Sequence, residues 1–172
     1  EESELVLIHR RLSIIDLTEA GWQPMGTIDG RYYIIFDGGI YNYLELKREL
    51  EALGYQFRSR SDTEVLVNGY AHWGPNVLLH LIGAFAFAIL DTKEHRLFLA
   101  RDHFGIKPLY FAYWRDGFAF ASEIKPLLSL PGVSRKVNPE RLYIYLKHIS
   151  TDFGSETPVS YTHLTLPTNR EV

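Results

Sequence analysis

The sequence predicts an α+β domain built around antiparallel β-sheet. Four strand-like apolar runs follow one another between Gly83 and Ala121 without a helical pattern between them, which is typical of hairpins. Helical patterns lie on either side of this region, and 46% of the 172 residues are hydrophobic. The chain is therefore long and apolar enough to form one domain with a sizeable core.

The composition excludes several classes of function. With 18 basic and 21 acidic residues the net charge is -3, so no nucleic-acid or anionic-membrane partner is expected. The chain has no cysteine, which excludes disulfides, thiolate metal sites and a cysteine nucleophile among these residues. The longest apolar run is too short to span a bilayer and the start is not a signal peptide, so we expect a cytoplasmic protein. The histidines have no metal-binding spacing, and no metal site is predicted.

The first 29 residues predict a strand followed by a surface loop. Residues 5–8 form a strand-like Leu-Val-Leu-Ile run that Arg10 and Arg11 continue. An arginine inside an apolar strand is costly unless it meets a carboxylate, so we expect Arg10 at the solvent and keep Arg11 as a candidate for anion binding. Residues 17–29 are rich in Gly, Pro, Thr and Asp, which favours a loop.

A strand, a glycine turn and a helix are predicted next. Residues 31–36 are aromatic and β-branched, like a buried strand, and the leucines at 44, 46, 50 and 53 recur at helical spacing. Between them, Gly38 and Gly39 permit positive φ and could direct backbone N–H groups towards an anion. A tight strand-to-helix connection is the other interpretation of these glycines and the preceding Asp37.

Further helices and hairpins complete the prediction. A short strand after Gly54 precedes a helix over residues 65–73, near whose N-terminus Asp62 either caps the helix or binds a ligand. Two hairpins follow, and then a short helix over residues 122–128. The pair Asn138-Pro139 predicts the start of a last helix, and the apolar periodicity ends at about residue 151.

The usual motifs for nucleotide binding and serine catalysis are absent. The chain contains no Gly-x-x-x-x-Gly-Lys, no Gly-x-Gly-x-x-Gly and no Gly-x-Ser-x-Gly pattern. From the residues alone, Arg11, Asp62 and the two-glycine turn could bind a small zwitterion. No nucleophile for covalent chemistry is visible beside them.

Seven stretches of the chain belong together by their order and spacing, namely His9–Asp16, Gln23–Met25, Phe36–Asn42, Ser59–Val65, Gly83–Ala88, Arg101–Tyr110 and Ala121–Lys125. Jointly they resemble the glutaminase domain of glutamine-hydrolysing asparagine synthetase, a class II glutamine amidotransferase. The resemblance covers about residues 5–157.

The resemblance implies the N-terminal nucleophile hydrolase fold, a four-layer α-β-β-α sandwich with two antiparallel sheets, incomplete at its N-terminus. In that family an N-terminal cysteine attacks the side-chain amide of L-glutamine and releases ammonia. The ammonia reaches a C-terminal synthetase domain that uses aspartate, ATP and Mg²⁺ to make asparagine. The implied domain needs no cofactor of its own, and a homodimer is an open possibility.

The resemblance also assigns site residues. It places Arg11 at the substrate α-carboxylate and Asp62 at the α-ammonium group. Gly38 and Asp37 take the oxyanion-hole positions, where the family has glycine and asparagine. Gly39 stands where the family has a glutamate that helps to hold the amine. The adjoining residues would line the glutamine pocket, namely Leu12, Ser13, Ile14 and Ile15.

Three departures limit the implied activity. The family's cysteine segment would precede Glu4, so we expect this chain to be a fragment without glutaminase activity. An ionised Asp37 would repel the developing oxyanion, and losing one oxyanion donor costs about 3 to 4 kcal/mol of transition-state stabilisation. Asp37 and Gly39 are either true substitutions or sequence errors. We assign residues 1–157 to the partial amidotransferase domain and expect residues 158–172 to be non-native or disordered.

Two other functions stay open at this point. A non-catalytic module with the same fold could bind glutamine for regulation, and an amidotransferase domain could serve another acceptor. The stretch Arg101–Tyr110 favours asparagine synthetase. An upstream Met-Cys-Gly start and a downstream Ser-Gly-Gly-x-Asp-Ser motif in the complete reading frame would decide between these functions.

Overall fold

The computed structural model describes residues 5–10, 15–149, 157–159, 162–164 and 170–171. The strands are β1 (Met25–Gly26), β2 (Tyr32–Ile40), β3 (Gly83–Asp91), β4 (Arg96–Arg101), β5 (Tyr110–Trp114), β6 (Gly117–Ala121), β7 (Thr162–Leu164) and β8 (Arg170–Glu171). The helices are α1 (Tyr43–Ala52), α2 (Asp62–Trp73), α3 (Ile124–Leu128) and α4 (Pro139–His148). Short 3₁₀ helices span Glu19–Gly21 and Gly74–Leu79.

The strands form two antiparallel sheets. The first has the order β1-β2-β3-β4-β8 and the second has the order β6-β5-β7. Phe36 lies opposite Phe87 in the β2–β3 pair, and Phe111 lies opposite Phe120 in the β5–β6 hairpin. Both predicted hairpins are therefore present, but they belong to different sheets.

The first sheet has a separate apolar core on each face. On one face, Ile34, Phe36 and Ile40 of β2 pack with Leu50 of α1 and Val67 of α2. The other face meets the second sheet through a cluster of small and apolar residues, namely Ala86, Ala88, Leu97, Leu99, Leu109, Phe118 and Phe120. Since successive side chains of a strand point to opposite faces, this alternation produces a helix layer and two stacked sheets. Helix α3 lies against β5 and β6.

The predicted helices are confirmed, and two of them have side-chain caps. The Ser61 hydroxyl accepts a hydrogen bond from the Thr63 N–H at 3.1 Å where α2 begins. The Asn138 side chain accepts one from the Arg141 N–H at 3.3 Å where α4 begins. None of the described helices has the length and apolar character needed to cross a membrane.

Helix α1 buries only part of its predicted apolar stripe. Leu46 and Leu50 are buried in the first core. Leu44 and Leu53 are exposed. The helical spacing of the leucines was thus sufficient to predict the helix but overestimated the width of its buried face.

The strand predicted at residues 5–8 is not formed. Residues 5–10 have neither helix nor strand structure, and Leu5, Val6 and Ile8 are exposed. No strand within the described ranges pairs with this run. An apolar run needs a neighbour to hydrogen-bond with before it becomes a strand, and the sequence alone does not supply one.

The short strand predicted after Gly54 is also wrong, because residues 55–57 are irregular. The Tyr55 N–H donates to the Leu50 carbonyl at 3.0 Å, which closes the end of α1. The Arg58 N–H donates to the Glu64 carboxylate at 2.9 Å. These backbone groups are satisfied by a helix end and a side chain, so they need no strand partner.

The predicted glycine turn is part of a strand in the structure. β2 continues through Gly38 and Gly39 to Ile40, and Tyr41-Asn42 connects it to α1. The Asn42 side chain donates to the His80 carbonyl at 2.8 Å and accepts from the Ile82 N–H at 3.0 Å. Because β3 continues beside β2 up to this point, the chain reverses after the glycines rather than at them.

The residues after Thr157 lie partly outside the described ranges. Within those ranges, β7 pairs with β5 and β8 pairs with β4. The boundary at residue 157 and the character of the residues beyond it stay predictions.

Candidate functional site

The two glycines at the end of β2 are under different constraints. Gly38 has a φ of +137°, and a Cβ added to it would lie 2.1 Å from the Ala84 carbonyl oxygen on β3. A Cβ added to Gly39 would have the Tyr41 ring as its nearest neighbour, at 3.8 Å. Position 38 therefore requires glycine, whereas position 39 has room for a side chain.

Asp62, the first residue of α2, reaches the end of β2. Its Oδ2 accepts a hydrogen bond from the Ile40 N–H at 3.0 Å, and the residue is only 5% exposed. Burial raises the pKa of the Asp62 carboxyl, and the hydrogen bond from Ile40 opposes that rise only in part. The N-cap of α2 is Ser61, so Asp62 is not the capping residue. Its carboxylate connects the start of this helix to the glycine end of β2.

The segment that leads into α2, residues 58–61, is held by Glu64. The Glu64 carboxylate accepts hydrogen bonds from the Arg58 N–H at 2.9 Å, the Ser59 N–H at 2.7 Å and the Ser59 hydroxyl at 2.6 Å. Glu64 is only 2% exposed, so these donors compensate for the loss of hydration of its charge. We call residues 58–61 the Glu64-anchored segment; its geometry fixes where Asp62 begins α2.

Asp16 joins the predicted pocket stretch to the same segment. Its Oδ2 accepts a hydrogen bond from the Arg60 N–H at 2.9 Å, and its Oδ1 accepts from the Thr18 N–H at 2.9 Å. Ile15, which directly precedes Asp16, is exposed. The chain around Ile15 therefore lies beside the segment that ends at Asp62. The other predicted pocket residues lie outside the described ranges, namely Arg11, Leu12, Ser13 and Ile14.

The Gln23 side chain connects β2 to α2 next to the glycines. Its Oε1 accepts from the Phe36 N–H at 2.6 Å, and its Nε2 donates to the Phe36 carbonyl at 3.2 Å. The same Nε2 donates to the Thr63 hydroxyl at 3.3 Å. The Gln23 amide thus pairs with both backbone groups of Phe36, as a residue of a neighbouring strand would. Phe36 is the residue directly before Asp37.

A lysine, Lys107, lies beside Asp37. The Lys107 Nζ donates to the Asp37 Oδ1 at 3.1 Å, with side chains 34% and 45% exposed respectively. The Asp37 position therefore carries an ion pair that is open to solvent.

The Lys107 backbone is placed by the buried carboxylate of Asp102. That carboxylate accepts hydrogen bonds from four backbone N–H groups, those of Phe85 (3.2 Å), Phe104 (3.1 Å), Ile106 (3.0 Å) and Lys107 (3.0 Å). Burial by itself would raise the pKa of the Asp102 carboxyl, but these hydrogen bonds outweigh it and lower the pKa. We call residues 102–107 the Asp102-anchored segment. It is fastened to β3 at Phe85, which lies opposite Gly38.

The structure thus brings together four predicted site residues: Asp37, Gly38, Gly39 and Asp62. Their roles in binding stay predictions. Sequence reasoning missed the residues that position them, namely Asp16, Gln23, Glu64, Asp102 and Lys107. All five fall within the stretches that carry the family resemblance, but sequence does not show which backbone groups they contact. Across the described residues, no group of three or more His, Asp or Glu side chains is placed to hold a metal ion.

The chain matches a known protein family. The model of the glutamine amidotransferase domain matches residues 1–167. The chain belongs to the glutamine amidotransferase family. The matched residues include β2, the two anchored segments and Asp62. All the hydrogen bonds described above for the site therefore lie within the matched region.

Several curated relatives of this amidotransferase chain are named asparagine synthetases. It is 53% identical over 119 residues to asparagine synthetase [glutamine-hydrolyzing] 1 of Bacillus subtilis, covering 69% of the chain and 19% of the relative. It is 50% identical over 125 residues to a putative asparagine synthetase [glutamine-hydrolyzing] of Mycobacterium tuberculosis, covering 70% and 19%. The chain spans about a fifth of the length of these curated relatives.

Two solved structures share the fold. The glutamine phosphoribosylpyrophosphate amidotransferase from B. subtilis, solved with ADP and GMP, aligns with a TM-score of 0.58 and 29% identity, covering 68% of this chain and 27% of that chain. A second structure, described as the allosteric regulatory enzyme of purine biosynthesis, aligns with a TM-score of 0.56 and 29% identity, covering 67% and 27%. With the two antiparallel sheets, these neighbours confirm the predicted N-terminal nucleophile hydrolase class of sandwich.

Proposed function

We propose that this amidotransferase domain binds L-glutamine and supplies the ammonia of its side-chain amide to an asparagine synthase that converts aspartate to asparagine. The observation that carries the proposal is the buried Asp62 carboxylate, held against the glycine end of β2 inside the family match. Identity of 53% to a glutamine-hydrolysing asparagine synthetase supports the choice of acceptor. Aspartate, ATP and Mg²⁺ are assigned to the synthetase region of the relatives, and no cofactor is assigned to this domain.

The chemistry of Asp62 suits an ammonium group. The Asp62 carboxylate accepts from the Ile40 N–H and also interacts with the Thr63 backbone and the Ser61 side chain, all of which are neutral groups. A buried carboxylate is costly when ionised, and a cationic ligand beside it offsets that cost. Asp62 therefore favours a ligand that brings a positive charge to the end of β2, as the α-ammonium group of glutamine would.

The α-carboxylate of glutamine would be bound by Arg11, whose guanidinium can form a bidentate pair with it. The contact between Asp16 and the Arg60 N–H supports this assignment, because it holds the chain that follows Arg11 beside the segment leading to Asp62. Leu12, Ser13, Ile14 and Ile15 would line the pocket between the two charged groups.

Gly38 and Asp37 would lie at the side-chain amide of the ligand. The open space beside Gly39 is where a larger residue could add a second contact to the amine. Asp37 offers an acceptor in place of an amide donor, which weakens oxyanion stabilisation by about 3 kcal/mol when one donor is lost.

Calorimetric titration of the 172-residue chain with L-glutamine tests the proposal, with D-glutamine as the control ligand. We expect saturable binding of L-glutamine that weakens at least about tenfold, or 1.4 kcal/mol, in Asp62→Asn and in Arg11→Gln. Asp116→Asn, at an exposed position in the β5–β6 turn, is the matched control and should bind like the parent chain. Absence of binding, or equal binding by Asp62→Asn, contradicts the proposal.

Ammonia release distinguishes catalysis from binding alone. We expect none from the 172-residue chain, because it has no cysteine to form a thioester. A chimera that carries the cysteine-bearing N-terminal segment of a relative ahead of Glu1 should release ammonia, and more of it with Asp37→Asn, since a neutral amide donor is restored. Equal rates with and without Asp37→Asn would contradict the oxyanion argument.

A second candidate function is a non-catalytic module that binds glutamine. The acidic residue at position 37, already paired with Lys107, favours it, because the pair occupies the place of an oxyanion donor. A chimera that binds glutamine but releases no ammonia, with either residue at position 37, is the result expected for such a module.

A further inference from the structure

Lys107 is a charged residue beside Asp37 to which the proposed binding of glutamine gives no part. Its ammonium group lies 3.1 Å from the Asp37 Oδ1, although the two residues are 70 positions apart in the chain. Asp37 directly precedes Gly38, the position at which the backbone leaves no room for a side chain. The lysine is therefore placed at the end of the pocket where the side-chain amide of glutamine would react.

The position of Lys107 is fixed by the fold rather than by the ion pair alone. Its backbone N–H donates to the Asp102 Oδ2, and the same oxygen accepts from the Phe85 N–H on β3. The Asp102 N–H donates in turn to the Phe85 carbonyl at 2.7 Å. Since Phe85 lies opposite Gly38, one buried carboxylate holds the Lys107 backbone to the β3 residue that faces Gly38.

The charges at this end of the pocket determine which ligand groups can approach. Asp37 alone would repel any oxygen that carries or develops negative charge. With Lys107 beside it, the pair has no net charge, and the lysine retains further N–H donors because an ammonium group has three. Both side chains are partly exposed, so a ligand can reach them.

We propose that Lys107 is a positioning and specificity residue that neutralises Asp37, so that the pocket accepts an anionic oxygen at the side-chain end of the ligand. The ligand class is the γ-carboxylate of L-glutamate, the product that remains after the amide has been hydrolysed. The inference rests on the proposed function, because it needs a pocket that already binds the α-amino-acid end of glutamine.

The test compares the affinities of the 172-residue chain for L-glutamine and L-glutamate by calorimetric titration. In Lys107→Met, we expect L-glutamate to bind about tenfold more weakly and L-glutamine less than about threefold more weakly, because only the γ-carboxylate faces an unpaired Asp37. In Asp37→Asn, L-glutamate should bind more tightly than in the parent chain, because the lysine then faces the γ-carboxylate without a competing anion beside it. Lys107→Arg should retain most of the glutamate affinity.

The controls separate this role from a structural one. Lys125→Met removes an exposed lysine from α3 and should change neither affinity. Thermal melting of each variant checks that the fold is retained. If Lys107→Met weakens both ligands equally, the lysine is only structural and the inference is overturned. If Asp37→Asn does not strengthen glutamate binding, Asp37 does not repel the ligand and the inference is overturned as well. Binding of glutamine but not of glutamate by the parent chain would overturn it as well. If the parent chain binds neither ligand, the proposed function fails and the inference falls with it.

Discussion

Two segments flank the end of β2, and each is held in place by a buried carboxylate, although they bring opposite charges to the strand. In the Glu64-anchored segment, residues 58–61, one buried carboxylate accepts hydrogen bonds from two backbone N–H groups and a hydroxyl. In the Asp102-anchored segment, residues 102–107, another buried carboxylate accepts from four backbone N–H groups. Glu64 anchors its segment from helix α2, and Asp102 anchors its segment to strand β3 through Phe85.

The segments differ in the charge that they bring to β2. The first leads into Asp62, a buried carboxylate that accepts from the Ile40 N–H. The second ends at Lys107, a partly exposed cation that is already paired with Asp37. Among the described residues no cation pairs with Asp62, and a buried carboxylate of this kind favours a cationic ligand. A solvated pair such as Lys107–Asp37 mainly adjusts which ligand is tolerated. This difference is why we assign binding to Asp62 and selectivity to Lys107.

Removal of the Asp102 anchor should have the largest effect on stability. Asp102→Ala leaves four backbone N–H groups without their acceptor, and we expect it to cost about 4 kcal/mol of unfolding free energy. Urea unfolding followed by circular dichroism measures the loss. The exposed Asp116→Ala is the matched control and should stay within about 0.5 kcal/mol of the parent chain. A loss for Asp102→Ala no greater than that of the control would show that the segment is held by something else.

The strand end between the two segments should tolerate a methyl group at only one of its glycines. Gly38→Ala must adopt a positive φ and meet the Ala84 carbonyl, so we expect a loss of about 3 kcal/mol. Gly39→Ala meets open space, and its effect should stay below about 1 kcal/mol in either direction. The two variants serve as controls for each other in the same urea experiment. Similar losses for both would contradict the geometry of β2.

Removal of the Glu64 anchor should cost less than removal of Asp102, because fewer backbone groups depend on it. We expect Glu64→Ala to lose about 2 to 3 kcal/mol of unfolding free energy, since the Ser59 hydroxyl can find another partner but two N–H groups cannot. Because this anchor also fixes the start of α2, glutamine affinity should fall in parallel. An unchanged affinity would mean that Asp62 keeps its place without the anchor.

Asp62 and Asp102 should contribute to the free energy of unfolding with opposite dependence on pH. These are the smallest of the expected effects on stability. The pKa of Asp102 is lowered, so its stabilisation is present above the ordinary value of 3.8 and is lost as the pH falls through its folded-state pKa. The pKa of Asp62 is raised, so its favourable contribution is complete below 3.8 and is lost as the pH rises through its folded-state pKa.

Urea unfolding at about pH 3 and about pH 7 checks these signs. At neutral pH, Asp102→Asn should be less stable than the parent chain and Asp62→Asn slightly more stable. Both differences should shrink towards the acidic condition. A loss of stability in Asp62→Asn at neutral pH would show that its ionised carboxylate is not a net cost to the folded state.

Local patterns were sufficient for most of the elements. The alternation of small and large apolar residues in β3, the two hairpins and the Asn138-Pro139 start of α4 were all predictable, because each depends on residues close together in the chain. The predicted strands at residues 5–8 and after Gly54 were wrong because a strand needs a partner that lies elsewhere in the sequence. The turn at Gly38-Gly39 was misplaced for the same reason, since β3 extends the ladder past both glycines.

The sequence by itself determined the α+β class, the helices, and the family whose motifs include Asp37, Gly38, Gly39 and Asp62. Only the tertiary structure decided that Asp62 bonds to the Ile40 N–H, that Gly38 has no room for a side chain while Gly39 has, and that Lys107 pairs with Asp37. The physical reason is the range of each interaction. Helix caps and hydrophobic periodicity act within a few residues, whereas a buried carboxylate acts on backbone groups that only folding brings to it.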